Sequence, residues 1–80
     1  MEKHALIYTK DHCPYCDMAK KLLHKKNIHI EEINISSHPQ PELIIGQIKE
    51  ITTQKTFPQI VLDGKHIGGY NDLQALFTSP

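Results

Sequence analysis

Cys13 and Cys16 are the two cysteines of this chain, held three positions apart in the segment Cys13-Pro14-Tyr15-Cys16. An apolar run, Ala5-Leu6-Ile7-Tyr8, precedes them and a helical pattern follows. Strand, short loop, C-x-x-C, helix is an order that places the first sulfur at a helix N-terminus. Unpaired N–H groups and the macrodipole there favour thiolate over thiol. Thiolate is the attacking species in disulfide exchange, so Cys13 reads as a nucleophile. Cys16 lies one turn further on, where it can attack a mixed disulfide formed at Cys13 and release the substrate.

Two other uses of such a pair are weaker. A zinc site usually takes four Cys or His ligands, and no second knuckle is present. The six histidines, His4, His12, His24, His29, His38 and His66, are scattered. A permanent cross-link over so short a loop constrains the unfolded chain little. Near the pair, Lys10 can hold a thiolate or an anionic substrate, or be a solvated loop lysine; Asp11 would oppose it, and His12 reads as an exposed loop residue.

Eighty residues make one small domain, 1–80, whose core must come from its aliphatics. Formal charge balances to zero, which argues against a broad electrostatic surface for nucleic acid or membrane. Met1-Glu2-Lys3-His4 runs straight into a short strand without a signal-peptide pattern, and no apolar stretch reaches spanning length. The expectation is a cytoplasmic protein, and in a reducing compartment two cysteines point to catalysis or metal rather than to structure.

The elements that must position the pair follow in order. His4–Thr9 reads as a strand buried on both faces. Pro14 suits a first helical turn, and the helix runs to about Lys26, with Tyr15, Met18, Ala19, Leu22 and Leu23 on one buried face. Tyr15 can equally border the substrate site. Lysines late in the helix suit its dipole, and Asn27 is a stop signal. Ile28–Ile35 reads as the second strand, with a phase slip at Glu31-Glu32 that suggests a bulge or a turn.

After the loop Ser36–Pro41, Ser37 is placed to cap a helix with Gln40 in a capping box. That helix carries Ile44, Ile48 and Ile51 on one face. Phe57–Leu62 reads as a third strand with Pro58 at its start, and Asp63-Gly64 is a hairpin turn into Lys65–Gly68. Asn71 is placed to cap a last helix bearing Leu73, Leu76 and Phe77. The order β-α-β-α-β-β-α describes an α/β domain with a four-stranded mixed sheet flanked by helices.

Three motifs at these distances resemble the glutaredoxins over essentially the whole chain. They are Tyr8-Thr9-Lys10 leading into Cys13-Pro14-Tyr15-Cys16, then Thr56-Phe57-Pro58-Gln59-Ile60, then Gly68-Gly69-Tyr70-Asn71-Asp72-Leu73. The resemblance implies a thioredoxin-like fold, glutathione as reducing co-substrate and no metal. It implies a cis Phe57–Pro58 bond, with the Phe57 backbone offered to an extended peptide. It implies glutathione contacts from Lys10, Tyr15, Thr56, Phe57, Pro58, Asn71 and Asp72. Asn71 and Asp72 would meet the γ-glutamyl end, and Lys10, with Gln54 or Lys55, the glycyl carboxylate. Phe57 stands where the family often has valine.

The activity so implied is that of a monomeric dithiol glutaredoxin, a glutathione–disulfide oxidoreductase acting on disulfide-containing or glutathionylated proteins, with ribonucleotide reductase a candidate partner. Two rivals share the fold. One is a redoxin reduced by a flavoprotein reductase, against which Asn71-Asp72 speaks. The other is an iron–sulfur-binding homodimer, against which Pro14 speaks.

Overall fold

β1 (His4–Thr9) carries both layers of the molecule, because its two faces are apolar and its two edges are paired. The computed structural model describes residues 3–78. Its sheet runs β2-β1-β3-β4, with β2 at His29–Asn34, β3 at Gln59–Leu62 and β4 at Lys65–Gly68. β1 pairs in parallel with β2, from His4 opposite His29 to Thr9 opposite Asn34. It pairs antiparallel with β3, from Ala5 opposite Leu62 to Tyr8 opposite Gln59. The helices are α1 (Pro14–Lys25), α2 (Pro41–Ile51) and α3 (Tyr70–Thr78). This is the β-α-β-α-β-β-α order expected from the sequence, and it agrees with the thioredoxin-like fold that the resemblance implied.

Alternation along β1 divides the core in two. Ala5 and Ile7 join Ala19 and Leu23 of α1, Leu73 of α3, and Ile28, Ile60 and Leu62. Tyr8 and the partly buried Leu6 face the other way, onto Ile44 and Ile48 of α2. Each face thus buries its own period-2 set, as a strand covered on both sides requires.

The phase slip in β2 has a different cause from the one expected. The β1–β2 register is continuous, so there is no bulge. Ile28 and Ile30 pack in the layer of α1, whereas Ile33 and Ile35 pack in the layer of α2. The strand passes its apolar side chains from one layer to the other at Glu31-Glu32. Glu32 is not wasted there. Its Oε2 accepts from the Thr9 hydroxyl at 2.6 Å, and it pairs with Lys20 Nζ at 3.1 Å.

α1 ends where Asn27 was expected to stop it. Asn27 takes φ 59°, its N–H donates to His24 C=O, and the Ile28 N–H donates to Leu23 C=O. That pair of bonds is a Schellman closure, and Ile28 packs in the same cluster as Leu23. The buried face of α1 is narrower than its periodicity suggested. Cys16, Ala19 and Leu23 are buried, but Tyr15 and Met18 are exposed. In α2 the expected stripe likewise stops at Ile48, and Ile51 is exposed.

α2 begins at Gln40–Pro41 without a side-chain cap, so the expected Ser37 box does not form. Asn34 takes Ser37 instead, its Oδ1 accepting the Ser36 and Ser37 N–H groups in a turn at the end of β2. Asp63 and Gly64, at φ 49° and 82°, form the two-residue hairpin turn read from the sequence. The register shifts between Ile60 and Val61 in the β3–β4 ladder. Among the described residues, no helix is long and apolar enough to cross a membrane.

The Thr9 hydrogen bond, ahead of the Lys20 contacts, holds the Glu32 carboxyl below its ordinary value of 4.5, against some opposing desolvation. A depressed carboxyl stabilises the fold when ionised. Glu32→Gln should therefore cost about 0.5 kcal/mol at neutral pH. The gap from the wild type should be constant well above pH 4.5 and should close as pH falls through the folded-state value, where both chains carry a neutral side chain. Urea titrations of both proteins across that range check this. A gap that persists in acid would assign the effect to packing instead.

Candidate active site

Three chain segments meet at one end of the sheet, and the pairing explains why. The C-terminal end of β1 lies beside the N-terminal end of β3, with Tyr8 opposite Gln59. The C-terminal end of β4 lies there too, with Gly68 opposite Ile60. The loop after β1 carries Lys10 to Cys13, the segment before β3 carries Thr56 to Pro58, and the turn after β4 carries Gly69 and the start of α3. Antiparallel pairing thus brings together the three motifs that are far apart in sequence.

Cys13 is the N-cap residue of α1, in extended conformation at φ −124° and ψ 92°. Its sulfur accepts the Cys16 N–H at 3.2 Å, in the role that Ser or Asp oxygens take at most N-caps. Pro14 follows at the first helical position, where no N–H is needed. His12, at φ 55°, turns the chain into this cap. Cys13 and Cys16 form a disulfide, with Cα atoms 5.2 Å apart. Cys13 keeps 8% of its surface and Cys16 only 1%, so the two sulfurs are unequal toward a partner from solvent.

Contacts between side chains tie the segments together. Lys10 Nζ stands 5.8 Å from the centre of the Phe57 ring. The rings of Tyr15 and Tyr70 are 5.9 Å apart, linking the starts of α1 and α3. Gly69 lies against the Pro58 carbonyl, and a Cβ built on it would stand 3.4 Å from that oxygen. The Phe57–Pro58 bond is cis, as the resemblance implied. Phe57 is half-buried, yet its N–H and C=O have no hydrogen-bond partner among the described residues. In a buried setting those groups need a partner, and here an incoming strand can supply it.

Asn71 does not cap α3. The helix starts at Tyr70, and Asn71 is an exposed residue of its first turn. The capping carboxylate is Asp72, whose Oδ2 accepts the Gly69 N–H at 2.9 Å. This is the return half of a capping box. Gly68 makes room for it: its φ is 113°, and a side chain there would collide with the Asp72 carboxylate. Thr56, Gln54 and Lys55 are exposed on the approach to Phe57.

The supports of these loops were not singled out from the sequence. Gln59 is fully buried at the start of β3. Its Nε2 donates to the Thr56 carbonyl at 2.9 Å and to Gln54 Oε1 at 3.2 Å, and its Oε1 accepts from His66 Nε2 at 2.8 Å. One amide therefore fixes the segment that presents Phe57. A lone amide between Pro58 and three aliphatics was the available signal. The other loop is fixed by Asn34 and Ser36. Ser36 Oγ accepts the Asp11 N–H at 2.9 Å, and Asn34 Nδ2 donates to Asp11 Oδ1 at 3.1 Å. The Asp11 carboxylate is thereby held by the Asn34 side-chain amide.

The family model described as "Glutaredoxin" matches residues 5–67. The chain belongs to the glutaredoxin family. It is 38% identical over 71 residues to a glutaredoxin of Neisseria meningitidis serogroup A, covering 88% of this chain and 80% of that one. Glutaredoxin 1 from Francisella tularensis, in a crystal structure with cacodylate, superposes with a TM-score of 0.76 at 34% identity, over 91% of this chain and 90% of that one. A crystal structure of a buckwheat glutaredoxin–glutathione complex gives a TM-score of 0.80 at 26% identity, over 91% and 67% of the two chains. Membership of the glutaredoxins, with a cysteine pair that forms a disulfide, makes this a thiol–disulfide oxidoreductase.

Gln59→Leu tests the support of this glutaredoxin's site. It leaves His66 and the Thr56 carbonyl without their protein partner, and should cost about 2 kcal/mol in urea denaturation. Amide exchange should quicken from Gln54 to Phe57 more than in α1. Uniform exchange across both would mean that the buried amide only fills space.

Proposed function

We propose that the chain is a glutathione-dependent thiol–disulfide oxidoreductase that reduces protein disulfides and glutathione mixed disulfides through Cys13 and Cys16. The observation that carries this reading is the unpaired Phe57 backbone, set between a cation at Lys10 and the helix start at Tyr70-Asn71-Asp72. Glutathione is a short extended peptide with a carboxylate at one end and an amino acid head at the other. Its cysteine backbone pairs with Phe57, as a strand pairs with a sheet edge. Lys10, with Gln54 or Lys55, meets the glycyl carboxylate. The γ-glutamyl carboxylate lies at the N-terminus of α3 near Asn71, and Asp72 meets the ammonium through Oδ1, which its capping bond leaves available. Tyr15, Thr56 and Pro58 border the groove. The buckwheat relative's complex with glutathione supports the same choice of ligand.

The reduced Cys13 sulfur attacks the glutathione sulfur of a mixed disulfide. The S–S bond breaks, the protein leaves as thiolate, and Cys13 is glutathionylated. A second glutathione thiolate attacks the sulfur of the bound glutathione, which restores Cys13 and releases oxidised glutathione. With a protein disulfide, Cys13 first bonds to one protein sulfur, and the other leaves as thiolate. Cys16 then attacks Cys13 and frees the protein, leaving Cys13–Cys16 oxidised for reduction by two glutathiones. The cytoplasm, where glutathione keeps thiols reduced, is the compartment this cycle needs, and the monomer suffices for it.

Turnover of a glutathione mixed disulfide, with glutathione and glutathione reductase, tests the reading. Cys13→Ser should abolish it. Cys16→Ser should retain it while losing reduction of protein disulfides. A wild type that is inactive here but accepts electrons from a thioredoxin reductase would overturn the glutathione assignment.

A further inference from the structure

A cavity of about 260 Å³ opens between α2 and the segment before Pro58. Ile35, Ile45 and Ile48 join Phe57 in making it apolar, and among the described residues Lys49 and Lys55 supply its charged groups. Among the described residues, no carboxylate lines it. It lies just below the size of ordinary small-molecule pockets, which run from about 300 to 1,000 Å³, and so suits a single side chain better than a free metabolite. Ile45, in its wall, is 41% exposed, an apolar side chain that the chain itself leaves uncovered.

Two features say what covers it. The first is continuity. Thr56 and Phe57 line the cavity, and Phe57 also presents the unpaired backbone groups beside the redox site. A peptide paired on Phe57 with its cysteine toward Cys13 runs, in the direction assigned to the glycyl end of glutathione, toward Thr56 and Lys55. Glycine places no side chain there. A polypeptide does, because side chains of a paired strand alternate between its faces. The second feature is charge: with two lysines and no acid, the rim favours carboxylates.

We propose that this cavity is a subsite for protein disulfides, which takes a bulky apolar side chain just after the substrate cysteine, with an acidic residue two positions further on, on the same face of the strand. The inference rests on the glutathione reading for its direction, and adds a preference among protein substrates. It acts in the first step of the dithiol route. Cys13 thiolate bonds to the substrate cysteine's sulfur, the substrate S–S bond breaks, and the second substrate sulfur leaves as thiolate. Reduced Cys16 then supplies the second electron pair, as above. Glutathione mixed disulfides meet its Lys55 and Thr56 rim but place no side chain against Ile45, and are indifferent to that wall.

Two synthetic peptides with an intramolecular disulfide test this, identical except that one continues Cys-Leu-Ser-Glu and the other Cys-Ser-Ser-Lys. The wild type should show about tenfold higher kcat/KM for the first, carried mainly by KM. Ile45→Glu should erase that preference and leave turnover of the glutathione–2-hydroxyethanethiol mixed disulfide unchanged. Ile45→Ala should reduce the preference without reversing it. Equal kcat/KM for the two peptides, or a preference that survives Ile45→Glu, would overturn the subsite while normal mixed-disulfide turnover left the glutathione reading standing. Failure with the mixed disulfide as well would remove both.

Discussion

The N-terminus of α1 is capped by a sulfur, and the redox site is built outward from that bond. Helix starts need acceptors for their first N–H groups, and oxygen side chains usually provide them. Here the Cys16 N–H finds Cys13 Sγ. The bond has a double effect. It secures the first turn of the helix, and it offers the sulfur a donor and a positive dipole end, which stabilise negative charge there. A cysteine at the second or third helical turn would have neither. Pro14 serves the same end by starting the helix directly after Cys13, so the cap cannot drift along the sequence.

A sulfur so placed needs something to hold a substrate against it, and the sheet provides that by topology rather than by local sequence. β1 is central, and its C-terminal end delivers Cys13. Because β3 and β4 run antiparallel in turn, the start of β3 and the end of β4 return to that same end. The price of gathering three loops is that each must be fixed. Gln59 fixes the Thr56 segment, Asn34 and Ser36 fix the Asp11 segment, and Asp72 with Gly68 fixes the start of α3. Each uses a polar side chain to bind backbone or a neighbouring loop, which holds a loop more firmly than apolar contact alone.

What the sequence disclosed follows from the range of each effect. Period-2 burial in β1, the Asn27 stop and the Asp63-Gly64 turn are local, and each has the form its residues imply. The motifs also named the segments that meet. What misled were cases where a competing partner, or the surrounding fold, outweighed the pattern read from the sequence. Ser37 had the right spacing to cap α2, but Asn34 claimed it in a tight turn. Asn71 is a good cap type, but the helix starts one residue earlier and is closed by Asp72. Glu31-Glu32 resembled a bulge because a single strand's pattern does not show that two layers divide it. Tyr15 and Met18 had core spacing, but spacing alone does not say how wide a stripe of the helix the fold covers, and both are exposed. Gln59 went unread because a buried amide announces itself only through partners that the fold assembles.

The unequal burial of the two sulfurs imposes an order on any exchange at this site. Cys16, at 1% exposure, cannot receive a bulky partner, so every exchange with solvent begins at Cys13. In the glutathione-dependent cycle proposed above, once a partner is attached there, Cys16 and free glutathione compete to attack. An intramolecular thiol, already within one helical turn, acts at an effective concentration far above the millimolar range of a free thiol. For a protein mixed disulfide Cys16 should therefore win, and the protein leaves before it can be exchanged elsewhere. When glutathione itself is attached, Cys16 attack merely reforms the enzyme disulfide and returns glutathione to solvent, which glutathione can reverse. Net progress then depends on attack from outside on the bound glutathione's sulfur. In that proposed cycle, burial of one sulfur beneath the helix start would separate the fate of proteins from that of glutathione without any moving part.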